Sequence, residues 1–397
     1  MQKNLSYTEN DMLWYWFVNM AGIGLQTRKV LIDHFGHPGE LPGASHTLLS
    51  SLVRPGQLAA LMSSYHPEEA AGGLCRLQES GTSFIHWESE NYPEKFRNLP
   101  CPPYGLYLRG RLPDPKIPSI AMIGSRRSTA YGRSVARDFA AGLAGAGVQI
   151  ISGLAEGIDT ESHRGALMAG RYTLGILGGG IDTIYPRENF NLYMDMYQTG
   201  GVLSEWNMGI PNKAGLFPMR NRLISALSDG VFVLEAALRS GTNITVDQAL
   251  EQGKTVYALP GRITDVNSMG TNLLIREGAV PVLSLDDIIG QLELAGFVTE
   301  RKGRAGRETG RPGEMIDGAG EAAGMLTEPQ KQVLDMIDEQ DPVSFERLMR
   351  LGGFDTGSLH HILYQLEVHG LISQPVQHLY LKRCANLKNY GLQAILK

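Results

Sequence analysis

Between residues 118 and 298, short uncharged apolar runs alternate with longer amphipathic stretches. Runs at 120–123, 148–151, 173–177, 201–204, 230–234, 255–259 and 280–282 are too short for helices and predict strands. Near-continuous apolar character is what a strand shows when both its faces are covered. The stretches between them, near 131–146, 159–169, 188–197, 219–227, 243–252 and 270–277, predict helices; Val135, Phe139 and Leu143 show the four-residue spacing of one buried face. Strand–helix alternation of this length predicts an α/β fold, an extended Rossmann-like, doubly wound, mostly parallel sheet. In such a sheet, ligands bind outside the carboxyl ends of the strands.

The flanks carry different patterns. Residues 1–70 read as helical, opening on Met12, Leu13, Trp14, Trp16, Phe17 and Val18. The turn Gly22-Ile23-Gly24 before a helix bearing Val30, Leu31 and Phe35 has a helix-hairpin-helix pattern. Its residues leave two readings open: backbone N–H groups laid on a DNA phosphate, or a tight turn in a bundle used for protein contacts. Prolines at 93, 100, 102, 103, 113, 115 and 118 make 71–119 a region of extended connectors and edge strands, with one strand at Phe84–Trp87. Apolar residues nearly vanish from 299 to 324, the composition of a flexible linker. Residues 325–382 then predict three helices and a hairpin, the pattern of a winged helix-turn-helix. Its third helix is poor in Arg and Lys (His360, His361, Tyr364, Gln365, Glu367, His369), which leaves DNA reading and protein contact equally open. The expected domains are therefore 1–75, 76–298, the linker 299–324, and 325–397.

Composition narrows the class. A chain of 397 residues with 43% hydrophobic and 19% charged positions has the make-up of a soluble protein with a real core. A net charge of −5 excludes a surface that is basic throughout but leaves room for a confined arginine groove. Cys75, Cys101 and Cys384 are scattered without metal spacing, as reduced thiols of a cytoplasmic protein would be. No apolar run reaches membrane-spanning length, so no membrane partner is expected.

The chemistry concentrates at the expected sheet edge. In Ile120-Ala-Met-Ile-Gly-Ser-Arg-Arg-Ser-Thr-Ala-Tyr-Gly132 a strand turns through Gly124 into a helix, whose first N–H groups would converge on an anion. Ser125, Arg126 and Arg127 follow directly, and guanidinium forks suit phosphate oxygens. Gly153 and Gly157 permit close backbone approach after a second strand, and Tyr185-Pro-Arg187 follows Leu177-Gly-Gly-Gly-Ile-Asp182. Lys213 leads into Leu216-Phe-Pro-Met-Arg-Asn-Arg222, and Ser240-Gly241-Thr242 caps a further helix. Cations with an aromatic face, here Lys213, Arg220 and Phe217, are what a single nucleic-acid strand requires. The residues also admit a plainer account: Phe217 as core, and one of Arg220 and Arg222 paired with Glu205 or Glu235. Asp159 and Asp182 stand where caps and turns want Asp, and His163 reads as structural. There is no metal cluster, nucleophile elbow or Walker lysine, so no catalytic residue, metal or cofactor is expected.

These motifs resemble the DprA/Smf family of DNA-processing proteins. The resemblance runs in order through Ala121–Arg126, Ser152–Asp159, Leu177–Asp182, Ser204-Glu205, Phe217–Ser225, Ser240–Thr242, Gln252-Gly253, Leu259–Gly261 and Asn272–Ala279. It implies a single-stranded DNA-binding protein that protects incoming strands in natural transformation and loads the RecA recombinase. It also implies a homodimer through the sheet domain, around 231–290, and optional terminal modules of SAM or helix-hairpin-helix type and winged-helix type. The phosphate loop maps onto Gly124, Ser125 and Arg126, the DNA-contacting lysine onto Lys213 and the aromatic onto Phe217. With Gly153, Arg187, Arg220, Asn221, Arg222, Ser240, Gly241, Thr242 and Asn272, these are the expected DNA contacts. A competing resemblance, to nucleoside-monophosphate phosphoribohydrolases, lacks its general acid/base: Gly241-Thr242 is followed by Asn243-Ile244-Thr245, with no glutamate. A pure scaffold would leave the arginine-rich edge unexplained.

Overall fold

The computed structural model describes residues 7–62, 65–294, 327–338, 342–368, 371–376 and 379–382; the expected linker and Cys384 lie outside the described residues. Helices α1 (Glu9–Asn19), α2 (Leu25–Phe35), α3 (His46–Leu52), α4 (Pro55–Met62) and α5 (Pro67–Glu79) lead into strand β1 (Ser83–His86). The expected boundary at 75/76 falls inside α5. Tyr15, Leu74 and Leu77 from these helices share one core cluster with Tyr107, Tyr193 and Val202. The single turn α6 (Glu94–Arg97) and strand β2 (Gly105–Gly110) follow.

Strand and helix then alternate: β3 (Ser119–Ile123), α7 (Ala130–Gly145), β4 (Gln149–Ser152), α8 (Ile158–Met168), β5 (Thr173–Ile176), α9 (Phe190–Thr199), β6 (Gly201–Ser204), α10 (Leu216–Leu227), β7 (Gly230–Val233), α11 (Thr242–Glu251), β8 (Thr255–Ala258), α12 (Val266–Arg276), β9 (Val280–Pro281) and α13 (Leu285–Leu294). They form one sheet in the order β1-β2-β6-β5-β4-β3-β7-β8-β9. The pairings of β1 with β2 and of β2 with β6 are antiparallel, and the rest are parallel. Side chains of β3 show why its run is apolar throughout. Ile120 and Met122 pack with Phe139, Leu143 and Ile158 on one face. Ala121 and Ile123 pack with Leu223, Ile224 and Val246 on the other.

Helix α10 begins at Leu216, three residues before the position its pattern predicts. Pro218 is tolerated in the first turn, where a missing N–H removes a donor that has no intrahelical acceptor. Phe217 therefore sits in the first turn of a helix. At the other end of the chain, α14 (Glu328–Asp335), β10 (Val343–Ser344), α15 (Phe345–Gly352), α16 (Thr356–Val368), β11 (Ile372–Val376) and β12 (Leu379–Lys382) surround Val333, Leu348, Leu359, Leu363 and Leu366. Strand β10 adds a third member to the expected hairpin, in the order β10-β12-β11.

Candidate functional site

The chain leaves β3 toward β4 on one side and returns as β7 on the other. Loops after β3 and β7 therefore diverge and open a crevice at the point where the strand order reverses. A cavity of about 760 Å³ lies there. Gly124, Ser125, Arg126 and Arg127 form one wall, Phe217, Arg220 and Asn221 a second, and Arg239, Ser240, Gly241 and Thr242 a third. Arg126, Arg127 and Arg239 are exposed. Arg127 reads with Arg126 as a phosphate fork in the sequence, whereas Arg239 is not among the expected contacts, although it adjoins Ser240.

Phe217 is half-buried and flanked by cations: the guanidinium carbon of Arg126 lies 4.8 Å from its ring centre and that of Arg220 5.9 Å. Gly178 makes room for the ring, since a Cβ there would come within 2.8 Å of it. Beyond the ring a small second cavity is lined by Gly153, Gly178, Tyr185, Asn212 and Phe217. Gly153 thus lines this smaller space and not the cavity of the arginines.

Three of the expected contacts, and the start of α7, are engaged within the protein itself. Arg220 is only 4% exposed, and its guanidinium donates to Gly153 O at 2.7 Å and to Ile176 O. It braces the loops after β4 and β5 and shows the cavity little more than an edge. Arg222 resolves the open choice of partner: its Nη2 donates to both carboxylate oxygens of Glu205, at 2.7 and 2.6 Å. It is absent from the cavity wall. Asn272 spends its side-chain amide on Gly261, donating to its O and accepting from its N. The N-terminus of α7, expected to face a phosphate, already holds an internal anion, because Thr129 N–H donates to the Glu235 carboxylate. Two further expected contacts, Arg187 and Lys213, are exposed and lie outside the main cavity wall.

Burial sets the electrostatics behind the wall. Asp159 accepts from Gly153 N at 3.1 Å, and burial pushes its pKa up against the opposing pull of Arg220. Burial lowers Arg220 to about 10, so it stays charged at neutral pH. Asp182 accepts from Gly209 N, the turn role expected of it. At the third wall, Ser240 Oγ accepts from Thr242 N at 3.2 Å at the start of α11, whose cap residue is Gly241. Among the described residues no His, Cys, Asp and Glu side chains group to hold a metal, and no helix is long and apolar enough to cross a membrane.

Comparison with known proteins places this geometry. The profile of the family "DNA recombination-mediator protein A" matches residues 83–293. Protein Smf of Synechocystis is 30% identical across 93% of this chain and 98% of its own length. Protein Smf of Escherichia coli is 39% identical over 58% of this chain and 62% of its own length. The X-ray structure of DNA processing protein A from Streptococcus pneumoniae superposes with a TM-score of 0.57 at 28% identity, covering 72% of this chain and 99% of that one. A match through the whole sheet, with the motif loops gathered at its switch point, is what membership predicts: the chain belongs to the DNA recombination-mediator protein A family, the DprA/Smf proteins.

Proposed function

We propose that the cavity at the β3/β7 switch point binds single-stranded DNA without sequence preference and without chemical conversion of it. The observation that carries this reading is the stacked pair Arg126–Phe217, set among the exposed Arg127 and Arg239. Cations supply phosphate contacts, and an aromatic face accepts any base. The helix start at Ser240–Thr242 brings the positive end of the α11 dipole to the same space. Among the described residues, the one carboxylate on the cavity wall is Asp159, and it is engaged with loop backbone, which favours binding over acid–base chemistry.

We extend the reading in four ways. The held strand is passed to the RecA recombinase during processing of incoming DNA, a role that accords with the family's description as a recombination mediator. The sheet domain forms a homodimer through its late elements, around 231–290. The chain works as a helical unit, a Rossmann-like sheet unit and a winged-helix unit, the last supported by three helices beside a small antiparallel sheet. Lys213 and Arg187, exposed outside the main wall, extend the cationic track along the strand. The test is fluorescence anisotropy of a labelled oligothymidylate across a salt series, with duplex DNA as competitor. Tight, salt-sensitive binding that duplex displaces poorly is expected; no binding at low salt rejects the reading.

A further inference from the structure

We propose that Glu235 is the positioning residue of the arginine loop: its carboxylate and carbonyl hold residues 125–129 so that Arg126 and Arg127 face the cavity. The inference rests on the single-strand reading of that cavity.

Glu235 follows β7 and is only 4% exposed. It grips both ends of the loop. Its backbone O accepts from Ser125 N at 2.8 Å. Its carboxylate accepts from Thr129 N at 2.9 Å and from Thr129 Oγ1 at 2.5 Å. Thr129 Oγ1 in turn accepts from Gly132 N at 2.9 Å and caps α7. The grip is extended by Asn267, whose Nδ2 donates to Arg127 O at 2.9 Å and lies 3.5 Å from Glu235 Oε2. Every bond from the carboxylate thus ends on the loop's far end or on its neighbour Asn267, and Arg126 and Arg127 lie on the arc between the two anchored ends.

The sequence makes space for this arrangement. A Cβ built at Gly132 would overlap the Glu235 carboxylate. Glycine within a helix costs about 1 kcal/mol against alanine, so its presence in the first turn calls for a reason, and the carboxylate supplies one. The charge of Glu235 argues in the same direction. A buried anion next to a phosphate-binding loop opposes the ligand by simple electrostatics, while favourable contact with the N-terminus of α7 explains how the fold holds it. Its value to binding must then come from geometry.

These two roles have opposite signs in one experiment. Oligothymidylate binding is measured by anisotropy across a salt series for the intact chain, Glu235→Gln and Gly132→Ala, with urea unfolding of each. Glu235→Gln removes the negative charge and leaves one amide oxygen to accept where the carboxylate offered two, so Thr129 N–H and Oγ1–H lose their shared charged acceptor. Positioning predicts about tenfold weaker binding and a salt slope smaller by about 0.7 for each phosphate that the displaced arginines no longer neutralise. Gly132→Ala displaces the carboxylate from the other side, with a better helix former in place, and is expected to weaken binding and flatten the slope in the same way in a folded protein. Equal or tighter binding with an unchanged slope in either folded variant overturns the proposal while leaving the single-strand reading intact. If the intact chain itself does not bind, both fall together.

Discussion

The guanidinium of Arg126 lies over the ring of Phe217, 4.8 Å from its centre. In the proposed reading, the cation that would meet a phosphate covers the aromatic surface that would meet a base. A strand that takes up the arginine also bares the ring, so the two contacts should be coupled. Phe217→Ala is expected to weaken oligothymidylate binding by roughly 1–3 kcal/mol with an unchanged salt slope, because no phosphate contact is removed. Arg126→Ala should reduce the slope by about 0.7. Since the residues touch, the double variant should depart from additivity by about 0.5 kcal/mol or more. Strict additivity would show that the two act separately.

Arg222 and Glu205 give a contrasting case. Their side chains are 11% and 5% exposed, and the pair is bidentate on a single arginine nitrogen. Arg222→Ala would leave the Glu205 carboxylate buried and unpaired, a change that costs about 3–5 kcal/mol in comparable pairs. The expected outcome is a large drop in stability in urea unfolding, with the salt slope of DNA binding retained wherever the variant is folded. Replacing both partners, as Arg222→Met with Glu205→Leu, should recover much of that stability. A variant of normal stability with a reduced slope would instead make Arg222 a DNA contact.

The difference between these two arginines marks what the sequence could carry. Period and length located each strand from β3 to β9; the central ones, such as β3 and β7, are buried on both faces and so read as unbroken apolar runs. Gly124-Ser125-Arg126, Phe217 and Ser240-Gly241-Thr242 were legible as a site for a related reason: each adjoins a strand end or a helix start. Side-chain partners were not legible. Arg220, Asn221 and Arg222 are consecutive on one helix and so point in different directions, toward Gly153, the cavity and Glu205 respectively. Nor does linear sequence show that Glu235 reaches Thr129 across 106 positions. That last partnership arises only when β7 lies beside β3.

His163 gives the pH dependence its clearest internal reporter. The side chain is fully buried on α8, and its Nδ1 lies 2.7 Å from Thr173 Oγ1. Thr173 donates its own hydroxyl proton to Ile150 O, so it accepts from His163 Nδ1–H, and the ring is neutral with Nε2 unprotonated and unpartnered. Burial holds its pKa near 3, well below the ordinary value of about 6.5. Between these values the unfolded chain binds a proton that the native state refuses, so stability falls as pH drops through this window. At pH 5 the decrease from this residue alone is about 2 kcal/mol. Urea unfolding at pH 7, 6 and 5 should therefore show a steeper acid decline in the intact chain than in His163→Gln, whatever the absolute stability of the variant. Other titrating groups, including the buried His86, contribute equally to both proteins and cancel in the comparison. Parallel profiles would mean that His163 takes up a proton at Nε2 in the native state despite its burial.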